Sequence, residues 1–190
     1  KKNILMRILF LGDVVGLTGT SKILKNLKSE IEKKNIDFVI VNGENSSSSG
    51  VGINIETCKD FYNCGVNVIT TGNHVWDQKE ILNYIENENR LLRPYNFYEP
   101  CPGKGFEIFE TSKNIKIGVL NLMGNVFMKK CDDVFAISKK FTKNYKLKQN
   151  YDLLIVDFHG EITSEKNAIG QYFDGQATLV IGTHTHIPTN

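Results

Sequence analysis

The sequence predicts an α/β fold, and three observations carry the prediction. Short β-branched or apolar runs alternate with segments that repeat apolar residues at helical spacing, the pattern of strands joined by crossover helices. Five of these runs stop at a glycine or a polar residue and hand over to side chains that can carry chemistry. Ligands of open α/β sheets bind at the carboxyl ends of the strands, so those polar stops are where function is expected.

Residues 4–11 form the first strand, closing on Gly12 and Asp13, and residues 21–34 form a helix with Ile23, Leu24, Leu27 and Ile31 on one face. The second strand, 38–41, ends in Asn42-Gly43-Glu44-Asn45. The serine- and glycine-rich stretch 46–52 reads as a flexible rim loop. A short helix over 56–63 stops at Gly65. The run 66–71 is a buried parallel strand that delivers Asn73 and His74 after Gly72, a glycine that lets the backbone turn.

Beyond it, residues 78–87 read as helix, and Pro94, Pro100 and Pro102 mark an irregular crossing. Residues 105–110 and 115–122 lie close enough to pair as a hairpin, which starts a second sheet. A basic helix over 134–145 carries Phe135 and Phe141, its lysines forming a solvated face. The buried strand 153–158 ends in His159, a helix over 165–173 takes Thr163 or Ser164 as its N-cap, and the last strand, 178–181, runs into His184 and His186.

A chain of 190 residues that is 41% hydrophobic can bury a substantial core. It reads as one domain over residues 6–190, with Met6 as the natural start and residues 1–5 as an extension or remnant. Strong patterning runs almost to the last residue, so the domain is expected to be truncated at its C-terminal end. With 23 basic residues against 21 acidic ones, the net charge of +2 gives no case for a dedicated nucleic-acid or membrane-surface binder. No apolar run approaches the roughly 18 residues of a membrane span. Cys58, Cys64, Cys101 and Cys131 show neither a CxxC pair nor zinc spacing, as expected of reduced thiols in a cytoplasmic protein.

All four histidines fall in the strand-end clusters, which scattered structural histidines would not do. Asp13, Glu44, Asn45, Asn73, His159, His184 and His186 offer oxygen and nitrogen donors without a thiolate, a set that suits manganese, iron or zinc. They are too many for one tetrahedral ion and enough for two, if one carboxylate bridges. Glu44 is the expected bridge, because Asp13 is the only other carboxylate at a strand end. Two anionic ligands under two divalent ions leave the site electropositive, which favours a phosphate ester and in-line attack by a metal-bridging hydroxide. His184 and His186, two apart on extended backbone, face the same way and can reach one ion each. His74 is the histidine left over, either a general acid for the leaving alkoxide or an orienter of a ligand or water.

Other readings are weaker. Gly12-Asp13-Val14-Val15-Gly16 lacks the GxGxxG spacing, and no P-loop motif is present. A triad of Asp13, a histidine and one of the serines 46–49 has no GxSxG elbow and leaves most of the donor set idle.

Taken together, Gly12-Asp13, Gly43-Glu44-Asn45, Gly72-Asn73-His74, His159 and Gly182-Thr183-His184-Thr185-His186 resemble the calcineurin-like metallophosphoesterases, and more narrowly the bacterial YmdB-like family. The superfamily opens with Asp-x-His and bridges its metals with an aspartate. Here Asp13-Val14-Val15 and Glu44-Asn45 stand instead, departures that the YmdB-like family shares. The resemblance implies a four-layer αββα sandwich of two mixed sheets flanked by helices, and a centre of two iron or manganese ions. One ion would take Asp13, Glu44, Asn45 and His186, the other Glu44, Asn73, His159 and His184, with His74 as proton donor. It also implies a phosphodiesterase acting on cyclic nucleotides, 2′,3′-cyclic (and so RNA-derived) substrates among them and 3′,5′-cyclic ones beside them. A phosphomonoesterase or nuclease on the same centre, or a regulatory protein that keeps the fold, is the alternative. The sequence assigns no substrate-binding residue and leaves a homo-oligomer open.

Overall fold

A computed structural model describes residues 5–189. Ile4, the expected start of the first strand, lies outside the described residues, as do residues 1–3 of the expected extension and the terminal Asn190. The first sheet contains β1 (Ile8–Leu11), β2 (Phe38–Asn42) and β3 (Val68–Thr70) in the order β1-β2-β3. Its pairings are parallel, with Ile8 opposite Phe38 and Ile40 opposite Val68. The crossovers run through α1 (Gly16–Lys34) and α2 (Ile55–Cys64) and return the chain to the same end each time. For that reason this sheet is parallel throughout, where a mixed one was expected.

After α3 (Ile81–Tyr84) and an irregular crossing, the second sheet contains β4 (Phe106–Glu110), β5 (Lys116–Met123), β6 (Leu153–His159) and β7 (Leu179–Thr183), in that order. A tight turn makes β4 and β5 antiparallel. The helices α4 (Val134–Asn144) and α5 (Thr163–Tyr172) carry the parallel crossovers to β6 and β7, so this second sheet is mixed.

Alternation along the strands builds three apolar layers. Val39 and Val41 of β2 face α1 and α2, among Leu27, Cys58 and Phe61. Phe38, Ile40 and Val68 face the other way, onto Ile117, Val119 and Ile155 of the second sheet. Leu120, Val156 and Phe158 pack against Val134 and Phe141 of α4 and Ile169 of α5. The result is helix, sheet, sheet, helix, with each fully buried Ile, Leu or Phe contributing about 1.5–3 kcal/mol.

Several boundaries depart from the sequence expectation. α1 starts at Gly16, not near residue 21, because the Gly16 N–H bonds the Asn45 carbonyl at 2.8 Å and supplies the start that no side-chain cap gives. The stretch 78–87 is helical only over Ile81–Tyr84. Its polar side chains are used elsewhere: Gln78 donates to the Val51 carbonyl and Glu80 accepts from the Ile55 N–H. α5 is preceded by Ile162 with no side-chain cap, so neither Thr163 nor Ser164 caps it. The serine loop is not a loose rim: Ser46 and Ser47 are buried, and their hydroxyls donate to the Gly43 and Val51 carbonyls. Gly65, at φ +111°, ends α2 as the sequence anticipates.

Candidate metal centre

The carboxyl ends of β2, β3, β6 and β7 meet where the two sheets face each other. His159, fully buried as the last residue of β6, points Nε2 at three groups. Glu44 Oε1 lies at 2.9 Å, Asn73 Oδ1 at 3.1 Å and His184 Nδ1 at 3.1 Å. Ligand atoms of Glu44, His159 and His184 all fall within 4.8 Å of one another. Gly72 makes this approach available, since a Cβ there would overlap the His159 ring and the Glu44 carboxylate. Its φ is not left-handed, so it supplies space and not the backbone freedom expected of it.

A second group adjoins the first through Glu44. Asn45 Nδ2 lies 3.2 Å from Glu44 Oε1 and 3.4 Å from His186 Nε2, and His186 Nε2 lies 3.1 Å from Asp13 Oδ2. Asp13 Oδ1 accepts the His184 backbone N–H at 3.2 Å. The seven expected ligands therefore form one connected cluster, in which Glu44 joins the His159 group to Asn45, His186 and Asp13. One step of the sequence reading fails: β7 ends at Thr183, and His184 and His186 have φ of +97° and +57°. Left-handed backbone, not an extended strand, sends His184 to the His159 group and His186 to the Asp13 group. Such conformations cost about 1–3 kcal/mol each and cluster at functional sites.

The electrostatics follow from burial and pairing. Burial raises the Glu44 carboxyl, but the hydrogen bond and charge of His159 and the His74 backbone N–H outweigh it and hold the group below the usual carboxylate range. Burial lowers His159, and Glu44 more than compensates, leaving this imidazole above its ordinary value. Burial and the His159 charge push His184 down.

The donor set fits a cation. Nε2 of His159 can carry one proton, yet it faces a carboxylate oxygen, an amide oxygen and an imidazole nitrogen. One divalent ion serves all of these acceptors at once, and such ligands bind deprotonated. The far side of His184 is also held, with Nε2 at 2.9 Å from Glu161 Oε2. A cleft of about 760 Å³, lined by Asp13, His184, His186, Val15, Thr18 and Lys22, opens beside the second group.

His74 stands apart from the ligands. Its backbone N–H donates to Glu44 Oε2 at 3.1 Å, while ring Nδ1 lies 2.6 Å from Asp77 Oδ2. Lys129 Nζ donates to the Asn73 carbonyl at 2.7 Å and lies 3.6 Å from Asp77 Oδ1. Asp77, Lys129, Glu161, Thr183 and Asp157 received no role from sequence. Asp77 carries a readable signal, a carboxylate one turn beyond His74; Lys129 carries none, because a distant loop brings it.

A family profile described as YmdB-like protein matches residues 9–190. A Bacillus subtilis (strain 168) protein named 2′,3′-cyclic-nucleotide 2′-phosphodiesterase is 39% identical over 184 residues, which cover 97% of this chain and 68% of that protein. Among solved structures, a hypothetical protein from Thermus thermophilus matches with a TM-score of 0.88 and 36% identity, over 97% of this chain and 69% of that one. A Mycoplasma pneumoniae protein described as a novel phosphatase matches with a TM-score of 0.86 and 40% identity, over 97% of this chain and 66% of that one. The chain thus spans about two thirds of the length of these relatives.

Proposed function

Because the chain belongs to the YmdB-like protein family, whose fold is the calcineurin-like metallophosphoesterase sandwich, we propose that it is a metal-dependent phosphodiesterase acting on 2′,3′-cyclic nucleotides. The observation that carries this reading is the convergence of Glu44, Asn73 and His184 on His159 Nε2. Asp13, Asn45 and His186 would complete a second ion's ligand set across Glu44. Two divalent ions, iron or manganese, would supply Lewis-acid activation of water and neutralise phosphate charge.

The chain's own residues do the rest. As hydroxide oxygen bonds to phosphorus and the P–O bond to the ribose breaks, protonated His74 gives its proton to the departing ribose oxygen and becomes a neutral imidazole, which recovers a proton from the next water as that water is converted to hydroxide. Asp77 holds the ring through Nδ1, which leaves Nε2 to face the leaving group. No helix among the described residues is long and apolar enough to cross a membrane. All four cysteines are free thiols, which suits a reducing cytoplasm.

The Bacillus subtilis relative's name supports a 2′,3′-cyclic substrate, while the description of the Mycoplasma pneumoniae relative as a phosphatase favours monoester hydrolysis as a second reading. Metal analysis of the purified protein, combined with 2′,3′-cyclic, 3′,5′-cyclic and monoester substrates, separates them. Absence of bound metal together with no hydrolysis under added manganese or iron overturns both.

A further inference from the structure

Phe127 lies in the loop between β5 and α4 and is 85% exposed, more than any other large apolar residue among the described ones. Its φ of +60° is left-handed, a region that bulky side chains rarely occupy. Of the six non-glycine residues with such backbone among those described, it is the only apolar one, and His184 and His186 of the metal centre are two of the others. Folding gains nothing from a phenyl ring held in water on strained backbone. Strain of this kind persists where function uses it.

The loop is fastened to the metal centre on both sides of Phe127. The Gly124 N–H donates to the His159 carbonyl at 2.9 Å, and Lys129 Nζ donates to the Asn73 carbonyl at 2.7 Å. Glu165 accepts the Asn125 and Val126 N–H groups, and Met128 packs against the apolar cluster that contains Val75 and Cys131. The neighbours of Phe127 are thus pinned inward while its ring stands out at the rim. Lys129 also lies 3.6 Å from Asp77 Oδ1, and Asp77 Oδ2 lies 2.6 Å from His74 Nδ1. The loop therefore borders the His74 side of the site.

In the proposed phosphodiesterase reaction the ribose oxygen departs toward His74. When that oxygen leaves from C2′, the neighbouring carbon is C1′, which carries the base, so the base comes to the same side. We propose that Phe127 is the platform on which the substrate's nucleobase stacks, a specificity-determining residue that favours nucleoside phosphodiesters over base-free ones. The inference rests on that reading for the identity of the substrate. Every base has a π-face, so one phenyl ring selects for a base without selecting which base. Removing a stacking aromatic of this kind weakens binding by about 5- to 30-fold.

The test uses the manganese-loaded full chain and its Phe127→Ala, Phe127→Leu and Phe127→Tyr variants. Two substrates share one reacting ester: adenosine 2′,3′-cyclic phosphate, and methyl riboside 2′,3′-cyclic phosphate, which has no base. Binding of adenosine 3′-phosphate is measured beside them by calorimetry. Phe127→Ala and Phe127→Leu are expected to lose about 5- to 30-fold in kcat/KM on the nucleotide, mostly through KM, and to bind adenosine 3′-phosphate more weakly by the same factor. On the base-free substrate they should match wild type, and Phe127→Tyr should match it on both. A leucine variant that keeps the full preference for the nucleotide overturns the proposal, as does an equal loss on both substrates, which would mark Phe127 as a support of the loop. A wild type that hydrolyses neither substrate defeats the phosphodiesterase reading. The base platform then stands if adenosine 3′-phosphate still binds in a Phe127-dependent way, and falls if it does not.

Discussion

His74 Nδ1 and Asp77 Oδ2 lie 2.6 Å apart, joined across a turn in which the Asp77 N–H also bonds the His74 carbonyl at 3.1 Å. Burial raises the Asp77 carboxyl, but the hydrogen bond from His74 and the Lys129 charge prevail and keep it below the usual range. The ring is therefore held by an ionised partner. His74→Gln should lower kcat by about 10²- to 10⁴-fold with metal content intact. Asp77→Asn should cost less, roughly 10-fold, because the acid survives and only its orientation loosens. Unchanged turnover of His74→Gln removes the donor role, and loss of metal would make His74 a ligand or its orienter.

Gly72 gives an independent handle on the metal centre. A methyl group at this position would occupy the space of the His159 ring and the Glu44 carboxylate, both fully buried with no room to retreat. Gly72→Ala is expected to destabilise the fold by about 1–3 kcal/mol, as overpacking does, and to lower metal stoichiometry. Elemental analysis beside a thermal melt checks both. Full metal occupancy in the alanine variant would show that the cradle is less tight than its distances indicate.

Strand ends were the legible part of this sequence. Asp13, Glu44, Asn73, His159 and His184 each follow a β-branched or apolar run, and parallel strands bring such ends to one rim. What sequence could not supply was direction beyond the strand. The bend at His184 and His186 depends on where β7 stops pairing with β6, a tertiary fact. The helix expected over 78–87 shrinks because Gln78 and Glu80 are recruited by the neighbouring loop and helix start. Asp157 stood in plain view as the one carboxylate inside the buried run 153–158. A charge in such a strand is itself a signal of a polar network.

Asp37 supplies a test of pH dependence away from the site. Lys113 Nζ lies 2.7 Å from its Oδ1, and the Arg7 backbone N–H donates to Oδ2 at 2.8 Å; together they hold the carboxyl below its ordinary value. A lowered native pKa means that the unfolded chain takes up the proton first as pH falls. The stabilisation is thus complete above the unfolded value of about 3.9 and disappears as pH drops through the lower native one. Asp37→Asn should melt earlier than wild type near neutrality, by less than about 1 kcal/mol for a surface pair, and converge with it in strong acid. Parallel melting curves that keep the same gap down to low pH would contradict this assignment.

Glu165 braces the start of the loop that carries Lys129 to Asn73. It is a buried carboxylate in the first turn of α5, and it accepts the backbone N–H groups of Asn125 at 2.8 Å and Val126 at 3.4 Å. Asn125 in turn donates to the Asp132 carbonyl and accepts the Val134 N–H, which closes the loop that carries Lys129. Glu165→Ala would leave two backbone donors without their acceptor, a loss of about 1–3 kcal/mol for a buried group. Hydrogen exchange at the Asn125 and Val126 amides should quicken, and the Lys129 contact to the Asn73 carbonyl should weaken with it. Glu165→Gln retains one acceptor oxygen and is expected to fall between the two. If the alanine variant exchanges these amides at the wild-type rate, the loop is held by Asn125 alone and Glu165 has no part in presenting Lys129.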